Sequence, residues 1–349
     1  MIGLEIFSGT GGMSLGALMA GIDVKVAIDI DKWACETYKS NHENTTVINA
    51  DIRGIKEIPL KKGRVQTILF GGPPCQGFSL SNQKTRNKEN EKNWLFLEFI
   101  RIAKLFNPDW IVLENVSGIQ RTERGFFLEQ ICNQFHNLGY TLSYKLLNSV
   151  NFGVPQKRER FFLIGSKNGI NFVFPNTSNQ NTIAVKDAIS DLPILENGAS
   201  EFRLNYKSNK KLSEYAKLMR GECPYSYNNG VSKNTDLVLN RYKYIPQGGN
   251  WANIPKELMA NYKDYTRCHG GIYHRLEEEQ PSVVIGNYRK NMLIHPTQDR
   301  GLSVREAARL QSFPDSYIFK GSLTEQQQQV GNAVPPLLAK AIFENIINL

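Results

Sequence analysis

The sequence predicts an α/β fold, a Rossmann-like sheet carrying a second, smaller and irregular domain. Three observations lead there. A short apolar strand at Gly3–Phe7 runs into Ser8-Gly-Thr-Gly-Gly and then a helical pattern from Ser14 to Ala20, the usual opening of a cofactor-binding βαβ unit. Short apolar runs recur at Val24–Ile28, Thr46–Asn49, Thr67–Phe70, Trp110–Leu113, Thr141–Asn148 and Phe161–Gly165, with helical spacing between several of them. From Ser166 to about Arg300 this order stops, and Asn, Lys, Ser and Tyr take over among scattered prolines.

In the first turn, Gly9, Gly11 and Gly12 let a ligand approach the backbone, and the following helix offers unpaired N–H groups. Ser14 stands where a dinucleotide fingerprint wants its third glycine, so the turn departs from that pattern. The second strand ends at Asp29, about twenty residues on, where an acid can accept from both ribose hydroxyls. The third ends at Asp51-Ile52, suited to an adenine amino group and ring face. Each acid alone also reads as a helix cap or a solvated loop residue.

Phe70-Gly-Gly-Pro-Pro-Cys-Gln-Gly-Phe-Ser79 organises the chain. Two glycines and two prolines make a stiff, sharply turned platform at a strand end, presenting Cys75. Such a cysteine is either a small buried hydrophobe or a nucleophile, and the rigid mount favours the nucleophile. Ser81–Asn93 follows, with Lys84, Arg86, Lys88 and Lys92, and reads equally as a solvated loop or a lid over phosphates. Leu95, Phe96, Phe99, Ile102, Ala103 and Phe106 then recur at helical spacing and are core. The fifth apolar run meets Glu114-Asn115-Val116, placing a carboxylate beside the Cys75 strand end, where a raised pKa would make it a proton donor. After a helix over Phe126–Leu138, Arg158 and Arg160 lie two apart and share a face if the strand has begun by then. Together they can hold a phosphate or a carbonyl gaining charge, or else lie on a solvated edge.

The 349 residues suffice for one large or two ordinary domains, and 41% hydrophobic with 21% charged residues marks a globular chain. Five cysteines without C-x-x-C spacing point to a reducing compartment and away from structural zinc; no metal site is expected. Neither a signal peptide nor a membrane-length apolar run is visible. The net charge of +9 is compatible with nucleic acid. The middle region is itself basic, with Lys207, Lys210, Lys211, Arg220, Arg241, Lys243, Arg267, Arg275, Arg289 and Lys290 among tyrosines. His269, His274 and His295 lie there without metal-ligand spacing. Ser303 and Glu306 form a capping box for a helix through Leu310, Gln326–Gln329 reads as a polar helix turn, and Pro335 begins a closing helix through Ile347.

Taken in order, Phe-Ser-Gly-Thr-Gly-Gly, Gly-Pro-Pro-Cys-Gln-Gly-Phe-Ser, Glu-Asn-Val, Gln-Lys-Arg-Glu-Arg, Arg305-Glu-Ala-Ala-Arg-Leu-Gln-Ser-Phe-Pro-Asp315 and Gln329-Val-Gly-Asn-Ala-Val-Pro-Pro336 resemble the DNA cytosine-5 methyltransferases of bacterial restriction-modification systems. The resemblance spans residues 3 to about 165 and 303 to 349. It implies an S-adenosylmethionine-dependent methyltransferase sheet over 1–165 and 303–349, discontinuous in sequence, with 166–302 as the target recognition domain. Cys75 would be the nucleophile, Glu114 the donor to cytosine N3, and Asn115 the brace of the Pro-Cys turn. Arg158 would contact the O2 side of the ring and Arg160 would support the cysteine loop. Phe7, Gly9, Thr10, Gly11 and Gly12 would surround the methionine and ribose ends of S-adenosylmethionine, and Asp29 would take the ribose hydroxyls. Ile30 and Ile52 would face the adenine and Asp51 its amino group, while Pro74, Leu95, Asn332 and Ala333 complete the cofactor contacts. The partner would be double-stranded DNA, with a cognate restriction endonuclease acting on the same site and no membrane; a cytoplasmic, nucleoid-associated monomer is expected. Lys92-Asn93-Trp94 departs from the Arg-Gly that family members commonly show before Leu-Phe, which bears on the loop's hinge and phosphate contact.

Three other readings compete: an RNA cytosine-5 methyltransferase of the same fold, a catalytically inactive DNA-binding protein, and a nicotinamide-dependent oxidoreductase. The basic middle region favours a duplex site, retention of Cys75, Glu114, Arg158 and Arg160 opposes an inactive protein, and the Pro-Pro-Cys platform opposes the oxidoreductase.

Overall fold

The computed structural model describes residues 1–60, 63–74, 94–176, 182–207, 211–262, 270–286, 288–290 and 292–349. Its contacts divide the chain into two compact units: Met1–Phe152 with Glu159–Ser178 and Pro336–Leu349, and Gly153–Arg158 with Asn179–Pro335.

The first unit is built on β1 (Ile2–Ile6), α1 (Gly12–Met19), β2 (Asp23–Asp29), α2 (Lys32–Asn41), β3 (Thr46–Asn49), β4 (Thr67–Gly71), α3 (Phe96–Phe106), β5 (Trp110–Asn115), α4 (Phe126–Asn137), β6 (Thr141–Asn148) and β7 (Glu159–Ser166). The strands form one sheet in the order β3-β2-β1-β4-β5-β7-β6. The first five neighbours pair in parallel, and β7 pairs antiparallel with both β5 and β6. β4 and β5 are buried at every position, as strands covered on both faces must be, which is why they read as unbroken apolar runs.

Alternation along β1 assigns the faces. Leu4 and Ile6 join Leu69, Phe99, Ile102, Ile111, Ile131 and Phe135 in the main core, with α3 and α4. Gly3 and Glu5 point the other way, toward α1 and Phe70. There Phe70 meets Phe343 edge-on at 5.0 Å between ring centroids. Gly16 of α1 sits so close to the last helix that a Cβ would stand 2.6 Å from both the Ala339 Cβ and the Pro336 carbonyl. The missing third glycine of the opening turn is thus replaced by one two residues later, which does the helix packing.

The second unit holds α5 (Val185–Ile189), β8 (Arg203–Leu204), α6 (Glu214–Arg220), β9 (Ser226–Tyr227), α7 (Asp236–Tyr242), α8 (Val304–Leu310) and α9 (Leu323–Asn332). The closing helix α10 (Pro336–Ile347) returns to the first unit. Ser303 caps α8 with the expected box, its hydroxyl accepting from the Glu306 N–H and the Glu306 carboxylate from the Ser303 N–H. Residues 303–335, expected with the sheet, make their contacts in this second unit. There Arg309 is fully buried and donates to both Asp191 and Asp315, and Arg300 forms a two-pronged pair with Glu306. Tyr242, Ile245, Ile254, Met259, Tyr273 and Ile294 form a separate apolar cluster in the same unit. No helix among the described residues is long and apolar enough to cross a membrane.

Candidate active site

In the order β2-β1-β4-β5 the chain leaves β1 in one direction and returns on its other side at β4. Ligands of open α/β sheets bind at such a reversal, at the carboxyl ends of the strands. Two glycine-rich segments meet there, Phe7–Gly12 after β1 and Gly71–Pro74 after β4. Their approach is tight: a Cβ on Gly71 would lie 1.9 Å from the Ile6 carbonyl oxygen.

Phe7 (φ 53°), Gly9 (φ 51°) and Gly11 (φ 89°) adopt left-handed backbone, which coils the first segment and turns its amides to the strand ends. The Ser8 N–H donates to the Ile28 carbonyl at 3.1 Å, and the Gly9 N–H donates to Asp29 Oδ2 at 2.7 Å. Asp29 Oδ1 accepts from the Asp31 N–H at 2.8 Å. Each carboxylate oxygen therefore has one backbone donor and keeps acceptor capacity for another. Burial raises the Asp29 pKa, and the hydrogen bonds from the Asp31 and Gly9 amides act against it. Ile30 follows with 67% of its surface exposed, an apolar side chain left open beside this acid. The Ser8 hydroxyl is buried and has no hydrogen-bond partner among the described residues.

Asp51 caps a short 3-10 turn over Ile52–Gly54. Its carboxylate already accepts from the Arg53 side chain and amide, and these bonds lower its pKa. Ile52 is buried in the main core, its carbonyl accepting from Arg101 at 2.7 Å. Leu95 lies half-buried before α3, and Pro74 is exposed.

Glu114 lies within β5 rather than beyond it. The β4–β5 register pairs Gly71 with Leu113, so Glu114 comes next to Gly72. A Cβ on Gly72 would stand 2.5 Å from Glu114 Oε2, so the carboxylate occupies the space that any side chain there would need. Across β7, Glu114 pairs with Phe162, which makes Arg160 its diagonal neighbour on the same face. Arg160 Nε lies 3.0 Å from Glu114 Oε1, with both side chains largely withdrawn from solvent. Burial pulls the Arg160 pKa down, and the Glu114 charge opposes that. Asn115 Nδ2 donates to the Pro73 carbonyl at 3.4 Å, while its Oδ1 accepts from the Val116 N–H. Cys75 itself lies outside the described residues, as do the Ser81–Asn93 loop, Lys210, Arg267, Cys268 and His269.

The shared face expected for Arg158 and Arg160 is not formed, because β7 begins at Glu159. Arg158 belongs to the second unit, buried, donating to the carbonyls of Ile285, Gly331 and Ala333 at 2.9 to 3.2 Å. Asn332, exposed at the end of α9, and Ala333 lie in that unit too.

Glu5 escaped the sequence reading. It is 2% exposed, accepts from the Ser14 hydroxyl, and burial pushes its carboxyl up to about 8. Ser14 in turn accepts from the Tyr38 hydroxyl. An acid between Leu4 and Ile6 in a buried strand was the available signal. Ser8 and Gly72 offered no comparable mark, since their roles follow from neighbours distant in sequence.

The profile of the C-5 cytosine-specific DNA methylases matches residues 1–348. The chain is 35% identical over 351 residues to the type II methyltransferase M1.HphI of Haemophilus parahaemolyticus, covering 99% of this chain and 86% of that protein. It is 34% identical to M.DdeI of Desulfomicrobium norvegicum, covering 98% and 88%. Among solved structures it is similar to a DNA modification methyltransferase encoded within an E. coli prophage, with a TM-score of 0.79, 23% identity and coverage of 100% and 99%. Dnmt2 of S. pombe follows with a TM-score of 0.62 and 16% identity over 100% and 98%.

Proposed function

This chain belongs to the C-5 cytosine-specific DNA methylases, and from that premise we propose that it methylates carbon 5 of a cytosine flipped out of a short double-stranded DNA site, through an adduct between Cys75 and C6. The DNA (cytosine-5-)-methyltransferase activity itself follows from the family. The observation that supports the covalent route is the Glu114–Arg160 pair packed against Gly72, three residues before Cys75.

Cytosine C5 is a weak nucleophile. Addition of the Cys75 thiolate to C6 makes an enamine of the ring and moves nucleophilic character to C5, which splits one difficult step into easier ones. Negative charge then builds toward N3, where Glu114, entering the step as the protonated acid, delivers its proton and is left as the carboxylate paired with Arg160. Arg160, paired with Glu114, fixes the carboxyl group's orientation, and Asn115 holds the Pro73 carbonyl and with it the turn leading to Cys75. After C5 is methylated, its proton is removed and the thiolate is eliminated. Attack on the ring face requires the base outside the helical stack. The Ser81–Asn93 loop supplies cations for the flanking phosphates.

S-adenosylmethionine, when bound, supplies the electrophilic methyl group. The residues present fit it: Asp29 keeps acceptor capacity for two ribose hydroxyls, Ile30 offers an open apolar face, and the buried Ser8 hydroxyl gains a partner. In the proposed division of labour, the sheet-bearing unit does the chemistry and residues within 166–302 read the site. The biological setting we favour is a type II restriction-modification system in the cytoplasm, with a cognate endonuclease. The direct experiment is incubation with DNA carrying 5-fluorocytosine, since fluorine cannot leave as a proton does. The account expects a covalent complex mapping to Cys75; attachment at Cys35, Cys132, Cys223 or Cys268 would displace it.

A further inference from the structure

We propose that a buried polar chain running Glu5–Ser14–Tyr38–His42 fixes the glycine turn at Phe7–Gly12, and that Glu5 and Tyr38 are positioning residues for the cofactor. This rests on the reading of that turn as the seat of S-adenosylmethionine. All four side chains are at most 3% exposed, and the mechanism above uses none of them.

The chain reaches the turn from both ends and from its middle. Glu5 stands in β1, just before the turn begins, and Ser14 in the first turn of α1, just after it ends. The Ser14 hydroxyl donates to Glu5 Oε2 and accepts from the Tyr38 hydroxyl, which ties the two ends together. Tyr38 lies on α2, and His42 follows one helical turn later, its ring centroid 4.3 Å from that of Tyr38. The His42 imidazole in turn hydrogen-bonds the Gly11 backbone, and burial keeps it neutral, with its pKa pushed down to about 4. Gly11 is the left-handed residue that opens α1. Helix α2 itself starts just past Asp29 and Ile30, the residues proposed for the ribose and the adenine. One network thus joins β1, α1 and α2 around the turn.

An apolar side chain would fill the Glu5 position without the cost of withdrawing an acid from water. What the acid adds is a directed acceptor for Ser14. Ser14 itself carries the same message, since the glycine of a dinucleotide fingerprint could not link Tyr38 to Glu5. A loop held in its bound form beforehand leaves less ordering to the binding step, so the ligand binds more tightly. Burial keeps the Glu5 carboxyl protonated at neutral pH, its pKa pushed up to about 8, so glutamine can stand in for it.

The test measures S-adenosylhomocysteine binding to the full chain by calorimetry, together with kcat and KM for S-adenosylmethionine on DNA. Tyr38→Phe keeps the ring on His42 and removes the hydroxyl. It should weaken binding and raise KM about 3- to 10-fold, the value of one hydrogen bond, with kcat within about 2-fold of wild type. Ser14→Ala and Glu5→Leu should do at least as much. Glu5→Gln, which offers Ser14 the same carbonyl as the protonated acid, should bind within about 2-fold of wild type. Phe135→Leu, a core change on the other face of β1, should lower thermal stability and leave affinity alone. Unchanged binding in both Tyr38→Phe and Ser14→Ala would overturn the inference, as would an equal loss in Phe135→Leu or a fall in kcat with affinity intact. A wild-type chain that binds S-adenosylhomocysteine without this sensitivity rejects the polar chain alone, and one that does not bind it rejects the cofactor reading as well. Binding that responds as expected in a chain that leaves DNA unmodified keeps the polar chain and rejects the methylation reading.

Discussion

Glu114 and Arg160 meet at 3.0 Å between Oε1 and Nε, across the antiparallel step from β5 to β7. The pair connects two strand ends, and its carboxylate fills the space above Gly72. Replacing Glu114 with Gln keeps the shape and removes the transferable proton. A positioned acid is typically worth about 10²–10⁴-fold, so kcat for methyl transfer should fall by that factor with cofactor binding preserved. Rates near wild type across a pH series would remove Glu114 from the proton-donor role.

Gly72→Ala tests the same geometry from the other side. The added methyl would lie 2.5 Å from Glu114 Oε2, so the carboxyl must turn away or the loop must shift. We expect at least a 10-fold loss of kcat with little change in thermal unfolding. Gly71→Ala is a different case, since its Cβ would meet the Ile6 backbone oxygen at 1.9 Å. That variant should lose stability outright, visible as a lower urea midpoint.

How far the sequence carried the reading depends on where each signal is written. The capping box at Ser303 and Glu306 and the strands Thr46–Asn49 and Thr141–Asn148 came out as expected, because caps and short apolar runs are local properties. Asp29 stands out in the sequence by its distance from the glycines, and in the structure it accepts from the Gly9 amide. Arg158 does not: two arginines two apart suggest one face, but the strand start at Glu159 separates them, and spacing alone does not reveal that boundary. Residues 303–335 fall with the second unit by their contacts, which the sequence does not display. Several of their partners are distant in sequence, above all Asp191, which is 118 positions from Arg309.

Glu5 sets a pH dependence of stability. An unfolded glutamate titrates near pH 4.3 and the folded one is pushed up to about 8, so between these values the folded state binds the extra proton. Stability from this residue therefore falls as pH rises through that window and levels off above it. Groups near the Glu5 carboxyl are Ser14, Tyr38 and Asp29, and Asp29 adds to the upward push. Glu5→Gln removes the titrating group and should flatten the profile, so that the variant is more stable than wild type at pH 8. Parallel denaturation profiles for the two proteins from pH 5 to 9 would refute this.

Arg309 is buried between Asp191 and Asp315, all three essentially without solvent contact. Removing Arg309 would leave Asp191 with Arg220 and Asp315 with Arg305 and the Tyr206 hydroxyl, each short of its closest buried cation. Arg309→Ala should cost about 3–5 kcal/mol in equilibrium unfolding. A loss below about 1 kcal/mol would show that the network relaxes and that α8 is held by its apolar contacts instead.

The measurement closest to the central claim is made on DNA. The chain is expressed in a host lacking other cytosine methylation, and the genome is read by bisulfite sequencing, with Cys75→Ser as the control. The account expects 5-methylcytosine at one short sequence, because several base-edge contacts at about 1–3 kcal/mol each select a site of a few base pairs. It also expects none with Cys75→Ser, whose hydroxyl is far less ionised than a thiol. Unmodified DNA from the wild-type chain, or methylation that survives Cys75→Ser, would contradict it.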